Sequence, residues 1–173
     1  MKNLHPDEFA EYYTNYINQV KCLDIVDALQ QDLVDMQSFL ETIPFDKYKY
    51  KYLPEKWSVQ EVLQHIIDAE RIFAYRALRF ARFDKTPLAT FEEDDYVKFC
   101  DADHREMKDI VEEFILVRKS TIKLFESFSD EMLLQRGIAS GVTMSVRALG
   151  YIITGHCTHH SSVIKERYLE IKK

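Results

Sequence analysis

The segment Ser145-Val-Arg-Ala-Leu-Gly-Tyr-Ile-Ile-Thr-Gly-His156-Cys-Thr-His-His160-Ser-Ser-Val-Ile-Lys-Glu-Arg-Tyr168 has a helical pattern with two histidines on one face. Its inward stripe, in steps of three and four residues, consists of Leu149, Ile152, His156, His160, Val163 and Arg167. We expect this helix to begin near Thr143 or Ser145 and to end at about Glu170. Because residues four apart share a helix face, His156 and His160 are placed to bind one metal ion together.

A second helical segment carries a third histidine, in Trp57-Ser-Val-Gln-Glu-Val-Leu-Gln-His65. Ser58 and Glu61 have the spacing of a capping box, which predicts that the helix begins at Ser58. Catalytic metal sites commonly use three protein ligands and keep one position open, so His65 would complete such a site. Taken singly, each histidine is also compatible with a buried imidazole that bonds a backbone carbonyl.

Two further amphipathic patterns complete the fold prediction. One covers residues 7–42 and is expected to break near Val20, Lys21 and Cys22, and the other covers residues 103–127. A long connection over residues 84–103 contains an acidic cluster, and connections of that length are uncommon unless they are functional or cross the fold. Only four glycines and four prolines interrupt the chain. The sequence therefore predicts an all-α four-helix bundle formed by one domain over residues 1–173.

Composition excludes several classes of function. The net charge is -6 and no basic block is present, so we expect no nucleic-acid partner. The chain has neither an apolar run of roughly 20 residues nor a signal-peptide pattern, so we expect no membrane association. Cys22, Cys100 and Cys157 are an odd, scattered set, which favours a reduced, cytoplasmic protein. Cys157 adjoins His156 but points about 100° away from it, so it is not predicted as a ligand.

Charged residues that interrupt apolar stripes need partners when they are buried. Glu70 and Arg118 each interrupt such a stripe, and the favoured interpretation is an ion pair across the bundle. The functional alternative is that Glu70 acts as a base or orients a ligand. Asp68 is either an acceptor for the imidazole of His65 or a solvated carboxylate. His159, about 60° around the helix from His156, is either a polar surface group or a support for the site.

At these residues the chain resembles the DinB-like (YfiT-like) metalloenzymes. The segments Trp57-Ser-Val-Gln-Glu-Val-Leu-Gln-His65-Ile-Ile-Asp-Ala-Glu70-Arg and Tyr75-Arg-Ala-Leu-Arg-Phe-Ala-Arg82 look like the first motif of that family, and residues 145–168 look like the second. The resemblance implies a four-helix bundle, usually a homodimer, with a divalent metal bound by His65, His156 and His160. Better understood relatives use bacillithiol or mycothiol, as S-transferases or thiol-dependent isomerases.

The leading hypothesis is a metal-dependent thiol S-transferase or hydrolase that acts on a small-molecule substrate through a metal-activated thiolate or water. Imidazole ligands suit zinc, nickel, iron or copper, and of these we expect zinc or nickel. A low-molecular-weight thiol is a candidate second cofactor. The candidate catalytic or pocket residues are Glu70, Arg76 and His159. The alternatives are a non-catalytic, metal-binding dimeric stress-response module and a purely structural bundle without metal.

Overall fold

Seven α-helices and one β-hairpin form the part of the chain that the computed structural model describes, residues 4–20 and 24–169. The helices are α1 (Thr14–Gln19), α2 (Ile25–Leu40), α3 (Val59–Ala81), α4 (Glu93–Phe99), α5 (Met107–Glu126), α6 (Asp130–Leu133) and α7 (Val146–Ile164). Strands β1 (Arg136–Ala139) and β2 (Val142–Ser145) pair antiparallel. Short 3₁₀ turns occupy Pro6–Glu8, Glu11–Tyr13, Phe45–Lys47 and Ala102–His104, and a π-helical turn, Lys165–Leu169, continues α7.

The four long helices form the bundle that the sequence predicts. α3 packs against α5 and α7, and α2 packs against the same two helices. The core between them is apolar, and its fully enclosed side chains include Leu29, Ile66, Ile67, Ile110, Phe114, Leu149 and Ile152. The predicted four-helix bundle is therefore confirmed. Among the described residues, none of the helices is both long enough and apolar enough to cross a membrane.

The ends of the helices differ from the prediction in several places. The capping box of α3 is present, since Ser58 and Glu61 bond each other's backbone N–H groups. The expected helix over residues 7–42 is instead a series of 3₁₀ turns, α1 and α2, because Val20 is extended and Asp24 caps a new start. α5 begins at Met107, after Asp101 turns through a left-handed conformation. Cys22, Lys21 and the predicted helix end at Glu170 lie outside the described residues.

Two elements lie where no regular structure was predicted. The connection after α3 contains α4, and its Leu88 bridges Ala139 of β1. The β-hairpin turns at Ser140 and Gly141, both of which have positive φ. Strand β1 packs closely on α3: a Cβ on Gly137 would lie 2.1 Å from the ring of Phe80. The hairpin therefore packs on α3 and leads directly into α7.

Glu8 attaches the N-terminal segment to the start of α7. Its carboxylate accepts hydrogen bonds from Ser145 Oγ at 2.8 Å and from Arg147 Nε at 2.6 Å. Its other oxygen, Oε1, forms an ion pair with Nη2 of Arg147. Burial alone would raise the pKa of Glu8, but hydrogen bonds from Arg147, the His5 backbone and Ser145 lower it to about 2. The ionised carboxylate therefore stabilises the fold.

The variant Glu8→Gln is expected to lose about 1–3 kcal/mol of unfolding free energy at pH 7, as is typical for charge-assisted hydrogen bonds. Because the pKa of Glu8 is depressed on folding, this deficit should be complete above about pH 5 and should shrink as the pH falls toward 2. Urea denaturation at several pH values measures it, with the exposed Glu11→Gln as the matched control. A deficit that does not change with pH would contradict this role for the carboxylate.

Candidate metal centre

Three imidazoles converge where α3 packs against α7. His65 projects from α3, and His156 and His160 project from α7 one turn apart. The Nε2 atom of His156 lies 3.0 Å from Nε2 of His65 and 3.1 Å from Nε2 of His160. All three residues offer one nitrogen each within 4.8 Å of the others. The spacing of four residues on α7 and the packing of the two helices thus bring the three predicted histidines together.

The surroundings keep these imidazoles neutral. His65 and His156 are buried, and His160 is half-buried. Burial lowers the pKa of His65 to about 4, although the nearby carboxylate of Asp94 opposes the shift. Burial, together with the neighbouring imidazoles, lowers the pKa of His160 to about 3 and that of His156 well below its ordinary value. At neutral pH each ring therefore has one nitrogen with a free lone pair.

Hydrogen bonding alone does not account for this arrangement. A ring nitrogen carries either one hydrogen or one lone pair, so Nε2 of His156 satisfies at most one of its two close nitrogen neighbours well. Two nitrogens bound to one ion at 2.0–2.1 Å lie about 2.8–3.4 Å apart for bond angles between 90° and the tetrahedral angle. The observed separations of 3.0 and 3.1 Å fall in this interval. The donor set therefore fits a single divalent ion.

Aromatic rings lie close to two of the three histidines, His65 and His156. The ring centroid of Trp57 lies 4.9 Å from that of His65, and those of Tyr16 and Phe73 lie 5.5 and 6.1 Å from that of His156. Tyr16 reaches this place because α1 packs on α7 at Gly155. Sequence reasoning missed Tyr16, since no periodic pattern distinguishes it from the neighbouring tyrosines.

The contact at Gly155 leaves no room for a side chain. A Cβ there would lie 2.0 Å from the backbone oxygen of Tyr16. Alanine normally favours a helix over glycine by about 1 kcal/mol, yet Gly155→Ala should lower stability by about 1–3 kcal/mol because α1 must move. Urea denaturation measures the change. Stability equal to or above that of the wild type would show that α1 does not pack tightly at this position.

Glu70, one of three candidate catalytic residues, lies in an ion pair. Arg118 donates from Nε to Glu70 Oε1 at 2.9 Å and from Nη2 to Oε2 at 2.8 Å. The predicted pairing of these two residues is therefore confirmed. Asp32 of α2 accepts a further hydrogen bond from Arg118. Sequence reasoning missed Asp32, although its position three residues after Leu29 and four before Met36 places it on the apolar stripe of α2.

Arg76 is buried, and its contacts are structural. Its Nη2 donates to the backbone oxygen of Ala89 at 3.1 Å and to Ser140 Oγ at 2.9 Å, which holds the connection after α3 and the hairpin together. The ring centroid of Phe73 is 5.8 Å from this guanidinium and 6.1 Å from the ring centroid of His156. None of the hydrogen bonds described for Arg76 reaches the three histidines.

His159, by contrast, lies beside the histidine cluster. Its ring centroid is 5.1 Å from that of His160 and 5.3 Å from that of Tyr16. His159 and Tyr16 also line an open groove of about 930 Å³ between α1 and α7. Of the three candidates, His159 alone both contacts a histidine of the cluster and lines this groove.

Two other residues near the histidines have different surroundings. Asp68 accepts a hydrogen bond from Gln64 Nε2 at 3.0 Å and lies 3.5 Å from Arg71, so it takes part in a surface network. Cys157 is buried, and burial raises the pKa of its thiol well above the ordinary value. Among the described residues, the group that could hold a metal ion consists of the three histidines without Cys157, in agreement with the sequence prediction.

Comparison with known proteins identifies a family and a solved structure of similar fold. The family model of the DinB superfamily matches residues 28–164. Among solved structures, YfiT from Bacillus subtilis, described as a probable metal-dependent hydrolase with an unusual four-helix bundle topology, superposes with a TM-score of 0.73. The two sequences are 14% identical, and the alignment covers 82% of each chain, so this likeness concerns the fold. No curated protein matches the chain.

Proposed function

Because the chain belongs to the DinB superfamily, we propose that it is an enzyme that depends on a divalent metal ion bound by His65, His156 and His160. The observation that carries the proposal is the convergence of three Nε2 atoms from neutral imidazoles, with separations that suit a single ion. The description of YfiT as a probable metal-dependent hydrolase supports it independently.

The side chains around the cluster support chemistry over a purely structural ion. When bound, a divalent ion held by three neutral ligands supplies a largely uncompensated positive charge, which lowers the pKa of water or of a thiol toward neutrality. The rings of Trp57, Tyr16 and Phe73 lie close to His65 and His156. His160 is only half-buried, so solvent reaches part of its side chain. An accessible ligand favours catalysis over the alternative of a non-catalytic metal-binding module.

The groove beside His159 is the proposed approach for a small-molecule substrate. It is lined by Tyr16 and His159, and both rings contact histidines of the cluster. We assign His159 to contact with the substrate. Glu70 and Arg76 are assigned to the framework, because their polar atoms already have partners inside the protein.

The nucleophile is either water or a low-molecular-weight thiol. The family resemblance supports thiol S-transfer, and the description of YfiT supports hydrolysis. Both reactions need a nucleophile activated at neutral pH, and they differ in which molecule the groove admits. Zinc and nickel remain the proposed metals, since neutral imidazoles suit both. The family resemblance also supports a homodimer, which light scattering of the purified protein would test.

The test compares chelator-treated protein with protein reloaded with zinc or nickel. Each form is assayed for hydrolysis of a nitrophenyl ester and for conjugation of a chloronitroaromatic electrophile with cysteine. The proposal predicts that one of the two activities appears only in the reloaded form and falls when His159 is replaced with Ala. Reloaded protein that binds metal but shows neither activity, and whose cobalt form does not change its visible spectrum with added thiol, would favour the non-catalytic module.

A further inference from the structure

A buried charged network lies beside the histidine cluster and joins the four long helices. Arg118 of α5 is 0% exposed and pairs with Glu70 of α3 and with Asp32 of α2. Asp32 in turn accepts a hydrogen bond from Thr158 Oγ1 of α7 at 3.3 Å. The hydroxyl shares its one hydrogen between Asp32 and the backbone oxygen of Thr154, which lies 3.0 Å away. The thiol of Cys157 also lies within hydrogen-bonding reach of Asp32.

The residues through which the network contacts α7 and α3 lie close in sequence to the three histidines of the cluster. Thr158 lies between His156 and His160, two residues from each, and Glu70 lies five residues after His65. The network therefore holds α3 and α7, the two helices that carry the histidines, within a turn or two of those residues. Viewed down the axis of α7, Thr158 lies about 160° around the helix from each of the two histidines. Asp32 therefore contacts the side of α7 that is opposite the imidazoles, which face α3.

Stability alone is a weak reason for such a network. Buried ion pairs pay a large desolvation cost, and apolar residues of similar volume often replace them without loss of stability. The network contacts both helices that carry the histidines, α3 through Glu70 and α7 through Thr158, which suits a network that serves the histidine cluster.

We propose that Asp32 is a positioning residue for the metal ligands: through Thr158 and Cys157 it fixes the rotation of α7, and so the direction of His156 and His160 toward His65. Arg118 and Glu70 hold Asp32 in place and tie it to α3. This inference rests on the proposed metal site. Metal affinity depends on ligand directions, and changing the groups that orient ligands typically costs 10–100-fold in affinity.

The chain offers a matched pair of variants for the test. Thr158→Val removes the hydroxyl that reaches Asp32 and keeps the shape of the side chain. Thr154→Val makes the same change one turn earlier, where the hydroxyl donates to Gly150 of its own helix. Zinc affinity is measured by competition with a chromophoric chelator. We expect Thr158→Val and Asp32→Leu to bind zinc at least tenfold more weakly than wild type, and Thr154→Val to bind as the wild type does.

A second readout separates positioning from general loosening of the fold. The visible spectrum of the cobalt form reports the arrangement of the ligands, so it should change in Thr158→Val and return to the wild-type form in Thr158→Ser. Unchanged affinity in Thr158→Val, or equal weakening in Thr154→Val, would overturn the role of Asp32 while leaving the metal site intact. A wild-type protein that binds neither zinc nor cobalt would overturn the metal site and this inference together.

Discussion

Replacing Arg118 with Met is expected to lower the free energy of unfolding by about 3–5 kcal/mol, the cost of breaking a fully buried ion pair. Burial opposes the charge of Arg118, but Glu70 and Asp32 outweigh it and raise its pKa well above the ordinary value. Methionine fills much of the same volume and leaves both carboxylates without a counter-charge. Urea denaturation at pH 7 measures the loss.

A variant of a surface ion pair provides the comparison. Arg71→Met is the control, because its side chain is 49% exposed and pairs with Glu113 at the surface. That change should cost no more than about 1 kcal/mol. Equal effects of the two variants would mean that the buried network contributes no more than a surface pair.

Replacing His65 with Ala is expected to weaken zinc binding by at least about 100-fold, since one of three ligands and the only one from α3 is removed. His104→Ala is the matched control, because that imidazole is exposed and bonds Asp101. Competition with a chromophoric chelator measures both affinities. Zinc retained at wild-type affinity in His65→Ala would mean that the ion is held elsewhere and that the convergence of the three imidazoles has another cause.

The parts of the fold that follow from local rules were predictable. The capping box at Ser58 placed the start of α3 correctly, because both halves of that interaction lie within four residues. The spacing of four residues placed His156 and His160 on one face of α7. The apolar periodicity of α3 indicated that His65 faces inward. The pairing of Glu70 with Arg118 followed from the cost of burying either charge alone.

The parts that depend on tertiary contacts were not predictable. α2 carries three aspartates, and although the spacing places Asp32 on the apolar stripe, only the packing of α2 against α5 shows that it meets Arg118. The position of Tyr16 depends on the close approach of α1 to Gly155, which a single glycine in a helical pattern does not reveal. The hairpin of β1 and β2 is four residues a side, too short for its alternation to stand out from the flanking loops.

The most direct test of the account is the metal content of untagged protein purified without chelator, measured by elemental analysis beside the His65→Ala variant. The three-histidine site predicts close to one zinc or nickel ion per chain in the wild type, and far less in the variant. A wild-type protein that contains no metal and takes up none from added zinc, nickel or manganese would contradict it, and the cluster would then be a purely structural feature of the bundle.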